Sequence, residues 1–246
     1  MGAIMGCAGE TFARLCSRLR GIAAMPIHQE SESVIWDFNG TLVDDLDLVV
    51  RSVNAQLTKR QLPVLTMESY RAVFGFPVQD YYRRIGVTFE DETMADLSAD
   101  FLAEYASELT NCRLHPGVIE ILEHFQAEKR RQFVLSAMEQ GMLRSMVTHF
   151  GIARFFEGIF GLAHQDADSK VSRGRDLMCG FDIDPSTALL IGDTDHDAEV
   201  GEALGVDIAL VACGHQSEQR LRTTRHPVYA SYRELGEAFL ATEHHI

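Results

Sequence analysis

Four polar positions, each placed after an apolar run, could together carry out phosphoryl chemistry. Asp37 follows Val34-Ile35-Trp36, and Ser136 closes Phe133-Val134-Leu135. Lys170 lies beyond Gly158-Ile159-Phe160-Gly161, and Asp193 ends Leu189-Leu190-Ile191-Gly192, with Asp195 and Asp197 close behind. Two carboxylates on neighbouring strands make a site for a hard cation, and Mg2+ suits one or two carboxylates plus substrate phosphate. With its charge partly neutralised, Asp37 can attack phosphorus and form an aspartyl phosphate. Ser136 and Lys170 can hold the phosphoryl oxygens, and N–H groups around Asn39, Gly40 and Thr41 add donors. Taken singly these residues are ordinary, because an Asp or Ser after a strand commonly caps a helix or makes a turn. Their joint placement carries the reading. The run Asp193, Asp195, Asp197 also mimics a calcium loop, but Ala198 stands at its glycine position and Leu204 at its bidentate acid. No G-x-x-x-x-G-K-[ST], G-x-S-x-G or H-E-x-x-H is present.

For these groups to meet, the apolar runs must be parallel strands whose carboxyl ends share one edge of a sheet. "SVIWD" is apolar on successive residues, as a strand covered on both faces should be. After His115-Pro116-Gly117, helical and strand patterns alternate to the end of the chain, which implies right-handed crossovers and helices on both faces. Three helical patterns interrupt that alternation just after the first strand: "LDLVVRSVNAQL", "MESYRAVF" and "MADLSADFLAEYASEL". The expected fold is therefore α/β: a parallel-sheet core from 32–44 and 113–246, with an all-helical cap, 45–112, inserted after the first strand. The inserted helices either pack beside the sheet or cover its carboxyl edge.

Composition sets outer bounds. With 46% hydrophobic and 24% charged residues in 246, the chain is an ordinary globular protein. A net charge of −14 disfavours nucleic acid and membrane surfaces as partners, since both are anionic. Five scattered cysteines without a C-x-x-C pair fit a reducing, cytoplasmic compartment better than a disulfide framework. Residues 1–31 are expected to be an N-terminal extension, and the first 25 of them differ from the rest, with Arg14, Arg18 and Arg20 against a single acid, Glu10.

From about residue 32 onward the chain resembles the haloacid dehalogenase superfamily, most closely its phosphoglycolate-phosphatase-like branch. "DFNGT" is similar to that family's first motif, "VLS" to its second, "SKVSRG" around Lys170 to its third, and "GDTDHD" to its fourth. "RAVFGFPVQDYYRRIG" resembles the cap stretch containing F-G-x-P, and "LHPGV" the return into the core. The resemblance implies a Rossmann-like core and hydrolysis of a small phosphorylated metabolite, phosphoglycolate-like in the leading case. It implies Asp37 as nucleophile, Ser136 and Lys170 on the phosphate, and Mg2+ held by Asp37, Asp193, Asp197 and the backbone carbonyl of Asn39. It also implies that the cap selects the substrate, and Arg71, Arg83 and Arg84 are the cap's candidates for a second anionic group.

One residue departs from the pattern. Most phosphatases of the family read D-x-D-G-T, and the second aspartate protonates the leaving group and then activates water. Asn39 stands in that place, and an amide cannot exchange a proton near pH 7. Losing a positioned acid or base typically costs about 10²–10⁴-fold. The chain is then expected to be a phosphatase that favours good leaving groups, with Asn39→Asp gaining most on alkyl phosphates. Asp44, Asp45, Asp195 and His196 are alternative proton sources by proximity, although each reads first as a solvated loop residue. A phosphate- or ligand-binding protein of the same fold with little turnover is the other reading.

Overall fold

Val34, Ile35 and Trp36 have no exposed surface at all, although successive strand residues point to opposite faces. Both faces of the strand β1 (Ser33–Trp36) must therefore be covered, and two separate apolar clusters cover them. The computed structural model describes residues 31–90, 92–163 and 169–240. All but Ser31 of the expected N-terminal extension lies outside the described residues.

The other strands of the main sheet are β4 (Arg131–Glu139), β5 (Gly158–Leu162), β6 (Ala188–Gly192), β7 (Asp207–Val211) and β8 (Val228–Tyr229). Their order is β5-β4-β1-β6-β7-β8, and every pairing is parallel. Crossover helices make this possible. On one face, Val34 and Trp36 meet α5 (Val118–Ala127), α6 (Gln140–His149) and α10 (Tyr232–Leu240). On the other, Ile35, Leu135 and Leu190 meet α7 (Lys170–Phe181) and α8 (Asp195–Leu204). A short helix, α9 (Glu218–Leu221), lies between β7 and β8. The indole of Trp36 would be an orphaned donor in this core, but its Nε1 donates to buried Gln132 Oε1 at 3.1 Å.

Between two very short strands, β2 (Val43–Asp44) and β3 (Arg113–Leu114), run four helices: α1 (Leu46–Lys59), α2 (Met67–Val73), α3 (Val78–Arg84) and α4 (Met94–Glu108). The pairing of Val43 with Leu114 and Asp44 with Arg113 is antiparallel and joins the two chain crossings. The apolar spacing of α1 works as the sequence implies, with Leu46, Val49, Val50, Val53 and Leu57 all buried. Thr93 and Asp96 form a capping box that starts α4. The helix α3, which directly follows Pro77, carries no pattern strong enough to be read from sequence. No helix among the described residues is long and apolar enough to cross a membrane.

Candidate active site

Register alone brings the principal acids together. Trp36 pairs with Val134 on one side and Ile191 on the other. Asp37 is the next residue of β1, and its N–H still donates to the Ile191 carbonyl at 2.9 Å. Ser136 and Asp193 each stand two residues beyond those partners, so all three side chains leave the same edge of the sheet. Ser136 is buried and its Oγ accepts from the Met138 N–H at 3.1 Å, inside β4 where its register with β5 shifts.

Lys170 reaches this edge from the first turn of α7, whose start is capped by Ser169 accepting from the Ser172 N–H. The residue is 5% exposed, and its ammonium donates to Asp37 Oδ1 and to Asp197 Oδ1, the latter at 2.5 Å. Asp197 is held in turn by the start of α8. Its Oδ2 accepts from the Thr194 N–H at 3.0 Å and the Thr194 hydroxyl at 2.6 Å, closing a capping box. The same residue thus caps a helix and compensates a buried lysine.

Asp193 is gripped by two loops. Thr41 Oγ1 donates to Oδ1 at 2.8 Å, and the His215 N–H donates to Oδ2 at 2.6 Å. Glycine is required where those loops close on it. Gly40 has φ of +73°, and a Cβ there would lie 2.4 Å from Asp193 Oδ2. A Cβ on Gly214 would lie 2.1 Å from the same oxygen. Burial pushes the Asp193 carboxyl up to about 7, against the attraction of His215 and helped by Asp37 and Asp197. Burial likewise lifts Asp37 to about 6, against Lys170. The Lys170 contact outweighs burial at Asp197 and holds that carboxyl low.

Oxygen atoms of Asp37, Asp193 and Asp197 all lie within 4.8 Å of one another. The donor set is entirely hard oxygen, and two of the three acids resist ionising without added positive charge. These residues fit a small divalent cation. Asp197 already serves Lys170 and the helix cap, so Asp37 and Asp193 are the better direct ligands.

Sequence reasoning missed a second buried cluster beside the first. Asp45, read as a solvated loop acid, is 1% exposed. Its Oδ1 accepts from the Gly40 N–H at 2.8 Å and contacts His215 Nε2 at 3.1 Å. Its Oδ2 accepts from Asn39 Nδ2 at 3.0 Å and the Tyr105 hydroxyl at 2.5 Å. Tyr70 closes the cluster, its hydroxyl 3.2 Å from His215 Nδ1. The His215 charge and the bonds from His215, Tyr105 and Asn39 together outweigh burial and hold the Asp45 carboxyl low. The reciprocal attraction of Asp45 raises His215 to about 9 despite its burial. One signal for it stood in the sequence: "CGHQ" follows β7 at the same carboxyl edge as the other strand ends.

The remaining proximity candidates have other partners. Asp195 accepts from Arg220 and from Gln216 Nε2, and His196 stacks on Phe76 with ring centroids 4.2 Å apart. Asp44 is exposed on β2. Of the three arginines proposed for substrate, Arg71 is committed elsewhere, donating to the Ala212 carbonyl at 2.5 Å and the Gln216 carbonyl at 2.9 Å. It fastens α2 to the loop after β7. Arg83 bonds Asp80 at 2.9 Å on an exposed helix face, and Arg84 is exposed on the same helix.

A parallel sheet with acids converging at its carboxyl edge places the protein among α/β folds that bind ligands there. The haloacid dehalogenase-like hydrolase family profile matches residues 34–211, and the chain belongs to that family. It is 25% identical over 213 residues to phosphoglycolate phosphatase of Cereibacter sphaeroides, covering 83% of this chain and 95% of the relative. Its fold is similar to that of a predicted phosphatase of Clostridium acetobutylicum, with a TM-score of 0.74 at 20% identity over 86% of this chain and 99% of that one. Its fold is also similar to that of Protein Tyrosine Kinase A of Mycobacterium tuberculosis, with a TM-score of 0.72 at 23% identity over 86% of this chain and 99% of that one.

Proposed function

We propose that the protein is a Mg2+-dependent phosphohydrolase that passes the phosphoryl group of a small phosphorylated metabolite through Asp37. The observation that carries this reading is the buried cluster of Asp37, Lys170, Asp193 and Asp197 at the carboxyl edge, in a chain of this hydrolase family. Asp37 attacks phosphorus, so an Asp37–O–P bond forms as the bond to the leaving oxygen breaks. Water then attacks the aspartyl phosphate, releasing inorganic phosphate and restoring the carboxylate. Lys170 and Ser136 hold phosphoryl oxygens, and the lysine keeps Asp197 ionised and opposes the burial that raises Asp37. The Gly40 and Thr41 backbone lines the same turn. When bound at Asp37, Asp193 and the Asn39 carbonyl, with Asp197 behind them, Mg2+ supplies the positive charge that lets a carboxylate approach a phosphate.

Asn39 can orient a leaving group or a water through its amide but cannot exchange a proton with either. Leaving groups that depart as stable anions, such as acyl and aryl phosphates, need no such proton. A phosphoglycolate-like substrate is supported by the relatives' names, and its carboxylate is proposed to meet the exposed cations of α3, Arg84 and the Asp80-paired Arg83. The test is phosphate release across acyl, aryl and alkyl phosphates, with and without Mg2+. The expected result is Mg2+-dependent release that falls steeply as the leaving group becomes more basic. Metal-dependent binding without release from any member of the panel would instead establish a ligand-binding protein.

A further inference from the structure

Every neighbour of the Asp45 carboxylate is a donor. Gly40 N–H and His215 Nε2 serve one oxygen, and Asn39 Nδ2 and the Tyr105 hydroxyl serve the other. An ionised carboxylate only accepts, so the Asn39 amide must turn its NH2 toward Asp45, and His215 must carry its proton on Nε2. An aspartate at 39, a half-buried position, would instead set a second carboxylate about 3 Å from the buried Asp45. Tyr105 comes from α4 and Tyr70 from α2, so the cluster is held from both the core and the inserted helices.

We infer that Asp45 fixes residue 39 as a hydrogen-bond donor, so that positions 39 and 45 form one exchangeable unit whose single carboxylate sits at 45. The missing acid of the first motif is then a displaced one, one hydrogen bond away from where a proton shuttle would act. Asp45 is a positioning residue here, and restoring aspartate at 39 fails unless 45 is changed with it. With asparagine at 45, the amide oxygen accepts from Gly40 N–H and His215, while its NH2 donates to an aspartate at 39 and to the Tyr105 hydroxyl. That hydroxyl, now 2.6 Å from Asn39 Nδ2, then donates to the aspartate at 39, so the contacts are kept with the Tyr105 bonds reversed and the charge moved to the first motif.

The test is a cycle of Asn39→Asp, Asp45→Asn and the double exchange, read by thermal midpoint at pH 7.5 and by phosphate release from acyl and alkyl phosphates. Only the activity arm rests on the phosphohydrolase reading. Asn39→Asp alone is expected to lower the midpoint by roughly 5 °C or more and to turn over more slowly than wild type. The double exchange is expected to regain the midpoint and to exceed wild type by at least about tenfold, with the gain concentrated on alkyl phosphates. A merely structural pair would regain the midpoint with no change in leaving-group dependence. If Asn39→Asp is recovered only as insoluble protein, return of folded, soluble protein in the double exchange is the same result. Additive midpoints, or a gain from Asn39→Asp alone equal to that of the double exchange, would overturn the inference. If no variant releases phosphate, the phosphohydrolase reading fails while the midpoints still decide the coupling.

Discussion

Replacing Lys170 by methionine removes one charge from the centre of the acid cluster while keeping most of the side chain's volume. The lysine is 5% exposed and bonds Asp37 and Asp197, which are 7% and 2% exposed. Removing one partner of a buried ion pair leaves the other charge uncompensated, at a cost of about 3–5 kcal/mol. Domain stabilities are about 5–15 kcal/mol, so this is a large share. For a domain of this size each kcal/mol corresponds to roughly 2–4 °C, giving a midpoint lowered by roughly 6–20 °C in metal-free protein at pH 7.5. The sign of the pH dependence follows from the lost partner. Without Lys170 the carboxyls at 37 and 197 rise, the folded state takes up protons, and the deficit shrinks toward pH 5. Thermal unfolding by circular dichroism at pH 5 and 7.5 measures both effects. A variant as stable as wild type at pH 7.5, or a deficit of equal size at both pH values, would refute the reasoning.

Other expectations are checked by simpler measurements. In metal-free wild type, Asp37 at about 6 and Asp193 at about 7 both lie above their ordinary 3.8. Their stabilising protonation is complete below that ordinary value and is lost as pH rises through the folded ones. His215, at about 9 against 6.5, keeps its contribution below pH 6.5 and loses it through pH 9. The thermal midpoint should thus fall steadily from pH 5 to 9, and saturating Mg2+ should flatten the part between 5 and 7. Arg71→Ala should lower stability by about 1–3 kcal/mol, through the two carbonyls it leaves, in chemical denaturation. Its KM should stay close to wild type, and a large rise in KM with unchanged stability would return Arg71 to the substrate.

Much of the fold was legible because the apolar runs are unambiguous. "VIW", "FVL" and "LLIG" are buried on both faces, and that pattern belongs to parallel strands. The convergence of Asp37, Ser136 and Asp193 followed, since parallel strands present their carboxyl ends together, and Lys170 joins Asp37 from the first turn of α7. Side-chain partnerships across loops were not legible. Nothing local distinguishes Asp44, which is exposed, from Asp45, which is buried by nearby Gly40 and by Tyr105 and His215 from two distant parts of the chain. Arg71 looks like a free cation on a helix until the loop carrying Ala212 and Gln216 is seen to fold against it.

In the proposed reaction a carboxylate oxygen of Asp37 attacks phosphorus. Asn39 leaves the second step without a base, so the aspartyl phosphate should outlive the first step and accumulate. Brief incubation with an acyl phosphate and Mg2+, acid quenching and mass spectrometry of the peptides should find a phosphoryl group on Asp37, absent from Asp37→Asn. Phosphate release at the wild-type rate by Asp37→Asn, or a phosphoryl group carried on any other residue, would contradict it.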